Sequence, residues 1–283
     1  MRPSASQLTA FTMAARARSF TRAAEALGVT QSSVTQNVAK LEAMMGVPLF
    51  IRRRGGLELT RAARELLEIT SPLRDLEDLA AERVGDFSAL EVGELRLVAN
   101  APRPAMQIVA RFLEAYPGIT VEFSLASWAL ATERMRAQEA DVGVISDPPR
   151  DDRLFIRKIG EARFAAYVRA DDALQGAATL EDLASRRLVL PEDGSLTQKR
   201  VLALAAQRGV RLTRLVKTTT FPMVQEAVLH GVGVGVMLED ALHPNAEIRV
   251  LPIDGLGAAA DTCVVTQKEK LSLRAIKRFI EFA

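Results

Sequence analysis

The stretch Ser19 to Glu42, SFTRAAEALGVTQSSVTQNVAKLE, constrains this chain more than any other. It reads as two helices joined by a tight corner. Thr21 is the expected N-cap of a short helix, Arg22 to Leu27, with Ala23, Ala24 and Leu27 at helical spacing on one face. Gly28 follows where that helix must stop, because a glycine just past a helix end takes positive φ at little cost. Val29 turns into the corner. Thr30 then caps a second helix, whose buried stripe is Val34, Val38 and Leu41. Its other face carries Gln31, Ser32, Ser33, Thr35, Gln36, Asn37 and Lys40. A merely solvated helix face would carry more glutamate and lysine at i,i+4 spacing. Hydroxyls and amides are instead the groups that hydrogen-bond base edges in a major groove, where glutamine or asparagine can grip adenine with two bonds. A helix-turn-helix places its second helix in that groove, N-terminal residues first.

Charge supports the same reading. The whole chain carries only +2, yet residues 1–61 hold nine basic and three acidic groups. Residues 62–90 hold three arginines against seven acids, and the remainder is neutral. A basic head on a neutral body is the footprint of a polyanion-binding module. Before the helical pair, residues 4–17 form a first helix with Leu8, Phe11, Met13 and Ala15 as apolar contacts; Arg16 and Arg18 end it, placed to meet a phosphate backbone. After the pair, Gly46 ends the helix and Pro48 fixes an extended entry. Leu49, Phe50 and Ile51, then Leu57 and Leu59, read as two short strands, with Arg52, Arg53, Arg54, Gly55 and Gly56 between them. This is a basic wing whose arginines would meet phosphates or the minor groove.

Thr60 begins a long helix to about Phe87. Leu66, Ile69, Leu73, Leu76, Ala80, Val84 and Phe87 form its apolar stripe, and Pro72 is expected to kink it. A lone amphipathic helix must cover that stripe, and a second copy is the economical cover. Gly85 to Gly93 reads as a hinge. From Glu94 the rhythm changes to alternating strand and helix. Strands are expected at 95–99, 119–123, 141–145, 163–169, 187–190, 214–218, 232–237, 247–251 and 262–266. Helices fill the gaps near 103–116, 128–139, 179–184, 196–208, 222–230 and 270–282. The pattern argues an α/β domain with mainly parallel sheets, which bind ligands at the carboxyl ends of their strands beside helix N-termini.

Several chemistries find no support. One cysteine, Cys263, forms no internal disulfide, and two histidines, His230 and His243, are too few and too far apart for a usual metal site, so neither a metal nor a cofactor is expected. No Ser-His-Asp order or phosphate loop supports an enzyme. The G-V-G-V-G run at 231–235 leads into an apolar strand instead of opening a helix. No apolar run has membrane-spanning length and no secretory signal is visible, so a cytoplasmic protein is expected; a solute-binding protein for transport would need an export signal and has no use for the basic head.

The motifs S-F-T-x-A-A-x-x-L, K-L-E and G-x-x-L-F-x-R over 8–61, with A-D-V-G-V-I, L-P-E-D-G-S-L-T and V-L-H-G-V-G-V-G-V further on, resemble those of LysR-type transcriptional regulators. The resemblance implies an N-terminal all-α winged helix-turn-helix (1–61), a long linker and dimerisation helix (62–90), and a C-terminal α/β two-lobed periplasmic-binding-protein-like effector domain (91–283). The first lobe would be 91–163 and 265–283, the second 164–264. It implies operator duplex DNA as partner, self-association to a dimer and a tetramer, and control by a small-molecule effector. By position, Thr30, Gln31, Ser32, Thr35 and Gln36 would face bases, with Lys40, Arg52 and Arg53 beside them on the backbone or minor groove. The family's effector pocket between the lobes would map to Asn100, Ala101, Arg103, Ser127, Trp128, Ser146, Ser195, Thr197, Thr220 and Phe221. Hydroxyls and free N–H groups at helix starts suit an anion, and Arg103 would add a cation; helix capping alone accounts equally well for Ser127, Ser195 and Thr197. Segments such as V-A-N-A-P, E-A-Y-P-G-I and P-N-A-E-I-R-V-L-P-I are similar to regulators associated with 2-aminoethylphosphonate catabolism, which makes an organophosphonate or another small anion the expected effector.

Overall fold

The computed structural model describes residues 2–53, 56–84, 93–218, 221–256 and 258–283, and of 78–84 and 221 the backbone only. The chain divides into two compact units. One comprises Met1–Ala89, Arg136–Ala140 and Glu269–Arg274; the other comprises Leu90–Met135, Asp141–Lys268 and Ala275–Ala283.

The first unit opens with α1 (Ala5–Ala17), started by a capping box between Ser4 and Gln7. α2 spans Phe20–Leu27 and α3 spans Gln31–Met45. The cap of α2 is Ser19, not Thr21: the Ser19 hydroxyl accepts from the Arg22 backbone N–H at 3.3 Å. Phe20 lies inside the helix because its ring packs edge-on against Phe50, 5.4 Å away. Gly28, at φ +64°, ends α2 in the left-handed conformation that glycine adopts without strain. Phe11, Ala14, Ala23, Ala24, Val34, Val38 and Leu41 close one core beneath the three helices.

β1 (Phe50–Arg53) and β2 (Gly56–Leu59) pair antiparallel, so Arg52, Arg53 and Gly56 belong to the strands instead of lying between them. Arg54 and Gly55 lie outside the described residues. The wing is pinned to α1: Leu57 N–H donates to the Arg18 carbonyl at 3.1 Å. α4 then runs Arg61–Val84 through Pro72, with Thr60 accepting from the Ala63 N–H. Its Ala63, Leu67 and Thr70 are buried, whereas Ile69, Leu73 and Leu76 are exposed, at 72%, 45% and 61%. The expected hinge lies outside the described residues up to Gly93, which opens the next strand.

Arg16 departs from expectation. It is buried and donates to Asp75 at 2.8 Å and to Ser71, while Lys270, fully buried, reaches the other Asp75 oxygen at 3.3 Å. A guanidinium held this way is withdrawn from any phosphate. Arg18 is likewise paired, with Glu139.

The second unit holds two five-stranded sheets. The first has the order β4 (Ile119–Leu125), β3 (Gly93–Ala99), β5 (Val142–Ser146), β12 (Ala260–Gln267), β6 (Leu154–Ala162). The second has the order β11 (Ile248–Pro252), β7 (Phe164–Arg169), β10 (Val234–Leu238), β8 (Leu188–Pro191), β9 (Leu215–Thr218). Each sheet is mixed, not mainly parallel. β12 runs against both β5 and β6, and β7 runs against both β10 and β11. The cause is the chain path, which passes between the sheets twice, β6 into β7 and β11 into β12, so a returning strand enters each sheet antiparallel. β6 has no counterpart among the strands expected from sequence: its LFIRKIGEA carries three charges in nine residues, as an edge strand can.

Helices α5 (Pro102–Ala115), α6 (Trp128–Arg136), α7 (Leu180–Ser185), α8 (Leu196–Arg208), α9 (Phe221–Leu229) and α10 (Arg274–Glu281) cover the sheets. The expected 270–282 helix is interrupted: Lys268–Ser272 is a short 3-10 helix before α10. Buried Leu97, Ile108, Phe112, Val144 and Phe279 fill the first lobe, and Phe112 meets Phe279 edge-to-face at 5.3 Å. Val168, Leu183, Leu190, Val201 and Val236 centre the second.

Candidate functional site

Two surfaces carry the chemistry, one in each unit. In the first unit, Thr30 has extended backbone (φ −77°, ψ 149°), and its hydroxyl accepts from the Ser33 N–H at 3.2 Å, which starts α3 cleanly. Val34, Val38 and Leu41 turn inward, so Thr30, Gln31, Ser32, Gln36 and Lys40 are exposed together. Thr35 is half-buried and its hydroxyl donates back to the Gln31 carbonyl at 2.9 Å, leaving its oxygen able to accept. Gln36 lies 3.4 Å from the Ser32 hydroxyl, a contact weak enough to exchange for a base edge. Arg52 lies 5.7 Å over the Phe20 ring, which fixes the guanidinium against the helical core. Arg53 pairs with Glu58 at 3.2 Å on an exposed strand face. Both arginines thus remain on the surface, unlike Arg16.

In the second unit a cavity of about 340 Å³ opens between the two sheets. Asn100, Leu125, Ala126, Ser127, Trp128, Leu130 and Ser146 line it from the first sheet and its helices. Pro191, Glu192, Ser195, Leu196, Thr197 and Leu238 line it from the second. Asn100 follows β3, and its Oδ1 accepts the Ser146 N–H at 2.9 Å, which leaves the amide NH₂ as its remaining donor. Ser146 is fully buried, and its Oγ has no partner among the described protein groups. Ser127 and Ser195 each stand before a helix, accepting from Leu130 and Gln198 N–H at 3.2 Å. Trp128 is held in place by its indole N–H, which donates to the Ser146 carbonyl at 2.8 Å. Two groups of α8 reach across: Lys199 sits 4.2 Å above the Trp128 ring, and Arg200 pairs with Asp147 at 3.1 Å.

Of the residues expected here, Asn100, Ser127, Trp128, Ser146, Ser195 and Thr197 meet at the cavity. Ala101 is buried at the start of α5 and does not line it. Arg103 is turned away, donating to the Leu242 carbonyl at 3.3 Å, so it adds no cation. Thr220 lies outside the described residues, and Phe221 begins α9 with its side chain outside them. Sequence reasoning missed the apolar wall, Leu125, Leu130, Leu196 and Leu238, and the acid Glu192. Leu125 and Leu238 end strands β4 and β10, and that strand-end position was the available signal.

A sequence profile described as the "LysR substrate binding domain" matches residues 88–283, and one described as "Bacterial regulatory helix-turn-helix protein, lysR family" matches residues 5–64. This chain belongs to the LysR family. It is a DNA-binding regulator of transcription, with an N-terminal helix-turn-helix and a C-terminal two-lobed effector-binding domain, not an enzyme. It is 24% identical over 283 residues to "HTH-type transcriptional activator CmpR" of Synechocystis, covering 98% of this chain and 93% of that one. Its fold matches a full-length OxyR variant from Pseudomonas aeruginosa with a TM-score of 0.79 at 18% identity, covering 100% and 95% of the two chains. It also matches full-length CbnR complexed with its target DNA, with a TM-score of 0.61 at 23% identity and coverage of 98% and 97%. Among the described residues no group of His, Cys, Asp and Glu is arranged to hold a metal ion, and no helix is long and apolar enough to cross a membrane.

Proposed function

We propose that this LysR regulator reads operator bases with the outer face of α3, through Thr30, Gln31, Ser32, Thr35 and Gln36. Lys40, Arg52 and Arg53 hold the duplex backbone or minor groove. One observation carries the reading: Thr30, Gln31, Ser32 and Gln36 are exposed and Thr35 half-buried at a capped helix start, none acidic, beside two surface arginines. The test replaces operator adenines with 7-deazaadenine, which removes the N7 acceptor that a glutamine would grip. Wild-type binding should weaken at one base and Gln31→Ala binding should not. An equal loss in both would remove Gln31 as a base reader.

The division into 1–61, 62–90 and 91–283, with lobes 91–163 plus 265–283 and 164–264, follows from the same reading. The exposed Ile69, Leu73 and Leu76 form the surface by which two copies pair, on the way to a tetramer, in the cytoplasm. Leu76→Asp should shift the sedimenting species to a lower oligomer; an unchanged species would rule the stripe out.

The cavity between the lobes takes the effector, a small anion. Ligand binding shifts the population between lobe arrangements, and only as far as the ligand prefers one of them. An organophosphonate is the member of this class that the sequence likeness names. Flat heats on titration with 2-aminoethylphosphonate would rule it out.

A further inference from the structure

Residues 91–283 are neutral as a whole, yet one surface of the second unit is not. Its segments 184–188 (ASRRL) and 207–215 (QRGVRLTRL) hold five arginines and no acid. Gly209, at φ +66°, ends α8 and lets the chain turn back toward β9. β8 and β9 then pair in parallel with Leu188 opposite Leu215, and the Leu188 N–H donates to the Arg214 carbonyl at 2.8 Å. Arg187 and Arg214 therefore leave neighbouring chain segments about 5 Å apart. This is the end of β8 opposite Pro191, which lines the cavity, so the arginines are separate from the effector site.

Elsewhere in this unit Arg96, Arg153, Arg169 and Arg200 each pair with an aspartate, and here Arg186 pairs with Asp172 at 2.7 Å. Arg187, Arg208, Arg211 and Arg214 are exposed, and among the described residues none of them meets a carboxylate. Arg214 makes one long bond, to the Ser185 carbonyl at 3.4 Å. Guanidinium groups gathered without counter-charge repel one another, and a polyanion relieves that repulsion. The patch suits a phosphate backbone better than a protein. Guanidinium presents its N–H groups in a fork that matches phosphate. A protein interface needs an apolar centre, and among the described residues no exposed large hydrophobic side chain lies in either segment. A duplex held by one site presents its flank to a second site on the same chain at up to about millimolar effective concentration, so a weak patch suffices.

We propose that Arg187, Arg208, Arg211 and Arg214 form a second, sequence-independent contact for duplex DNA, on the phosphates that flank the operator.

The experiment follows the full chain by fluorescence anisotropy across a salt series on two duplexes. One is the shortest intergenic fragment that still outcompetes random DNA; the other extends it by about two helical turns of random sequence at each end. Each phosphate met by the patch adds about −0.9 to the slope of log affinity against log salt, so the extended duplex should show a steeper slope and tighter binding at low salt. The triple variant Arg187→Gln, Arg211→Gln, Arg214→Gln should lose that added slope, up to about 2.7 for each patch engaged, and bind the short fragment as the wild type does. Lysine at the same three positions should restore most of the added slope, because a point charge still pairs with phosphate. Equal wild-type slopes on the two duplexes overturn the proposal, the outcome expected of a patch that serves an acidic protein instead. An added slope that survives in the glutamine variant overturns it and gives the flank to other DNA-binding heads. Weaker binding of the short fragment in both the glutamine and the lysine variants overturns it too, and makes the arginines part of what holds the fold.

Discussion

Arg53 offers the most quantitative handle on how the wing works. Its side chain is 62% exposed and, among the described residues, pairs with Glu58, itself 59% exposed, at 3.2 Å. A pair this open is worth at most about 1 kcal/mol, so it yields readily to a phosphate. Each phosphate neutralised by a side chain adds about −0.9 to the slope of log affinity against log salt. Arg53→Ala should therefore flatten the slope by about 0.9 for each head engaged. Between about 50 and 200 mM salt, one such contact changes affinity about 3.5-fold, and that dependence disappears from the variant. Cognate and random duplexes should lose affinity alike, because a phosphate contact carries no sequence information. Glu58→Ala should act oppositely, releasing Arg53 and removing a negative charge from the wing, so both duplexes bind more tightly at low salt. Fluorescence anisotropy across a salt series measures both slopes. An unchanged slope in Arg53→Ala, or a loss confined to the cognate duplex, would refute the assignment of Arg53 to the backbone.

Three further outcomes follow from local geometry. Gly56→Ala should cost about 1–3 kcal/mol in urea unfolding of the first unit, because φ is +127° and the new Cβ would stand 3.0 Å from the Arg18 carbonyl; a neutral substitution would contradict the strain. Ser195→Ala should cost about 1 kcal/mol as a lost helix cap and should dull the ligand response while leaving ligand-free DNA affinity intact; a full response would take Ser195 out of the site. Cys263 is buried, and burial beside Asp261 and Asp147 pushes its thiol up to about 11. At pH 8 the thiol therefore stays protonated in the folded protein, and labelling by iodoacetamide should be slow until the chain unfolds or the pH nears 11; fast labelling at pH 8 would contradict that environment.

The α3 face proposed to read DNA was legible because its logic is local. Thr30, the Val34–Val38–Leu41 stripe and Gly28 are set by spacing and capping within one short stretch, and the structure keeps them. Ser19 against Thr21 shows the limit: both hydroxyls can cap, and the choice is made by Phe20 packing on Phe50, remote in sequence. Arg16 reads as a phosphate ligand because its partners, Asp75 and Ser71, are remote along the chain. The same cause hid β6 and the antiparallel placement of β12, which depend on where the chain returns, not on composition. In the cavity, polar residues at helix starts were predictable from capping patterns. Arg103 was not, since its reach to the Leu242 carbonyl depends on tertiary placement. Glu192 gave no periodic signal at all and enters only through the loop before α8.

The central claim is that the exposed amide and hydroxyl face of α3 makes this chain discriminate among duplexes. Its most direct measurement is the ratio of dissociation constants for the intergenic duplex beside its own gene and for a random duplex of equal length, taken at one physiological salt concentration. The account predicts a ratio of about a thousand or more in the wild type, falling about tenfold or further in Gln31→Ala. Equal affinity for the two duplexes, or a ratio unmoved by Gln31→Ala, would contradict it.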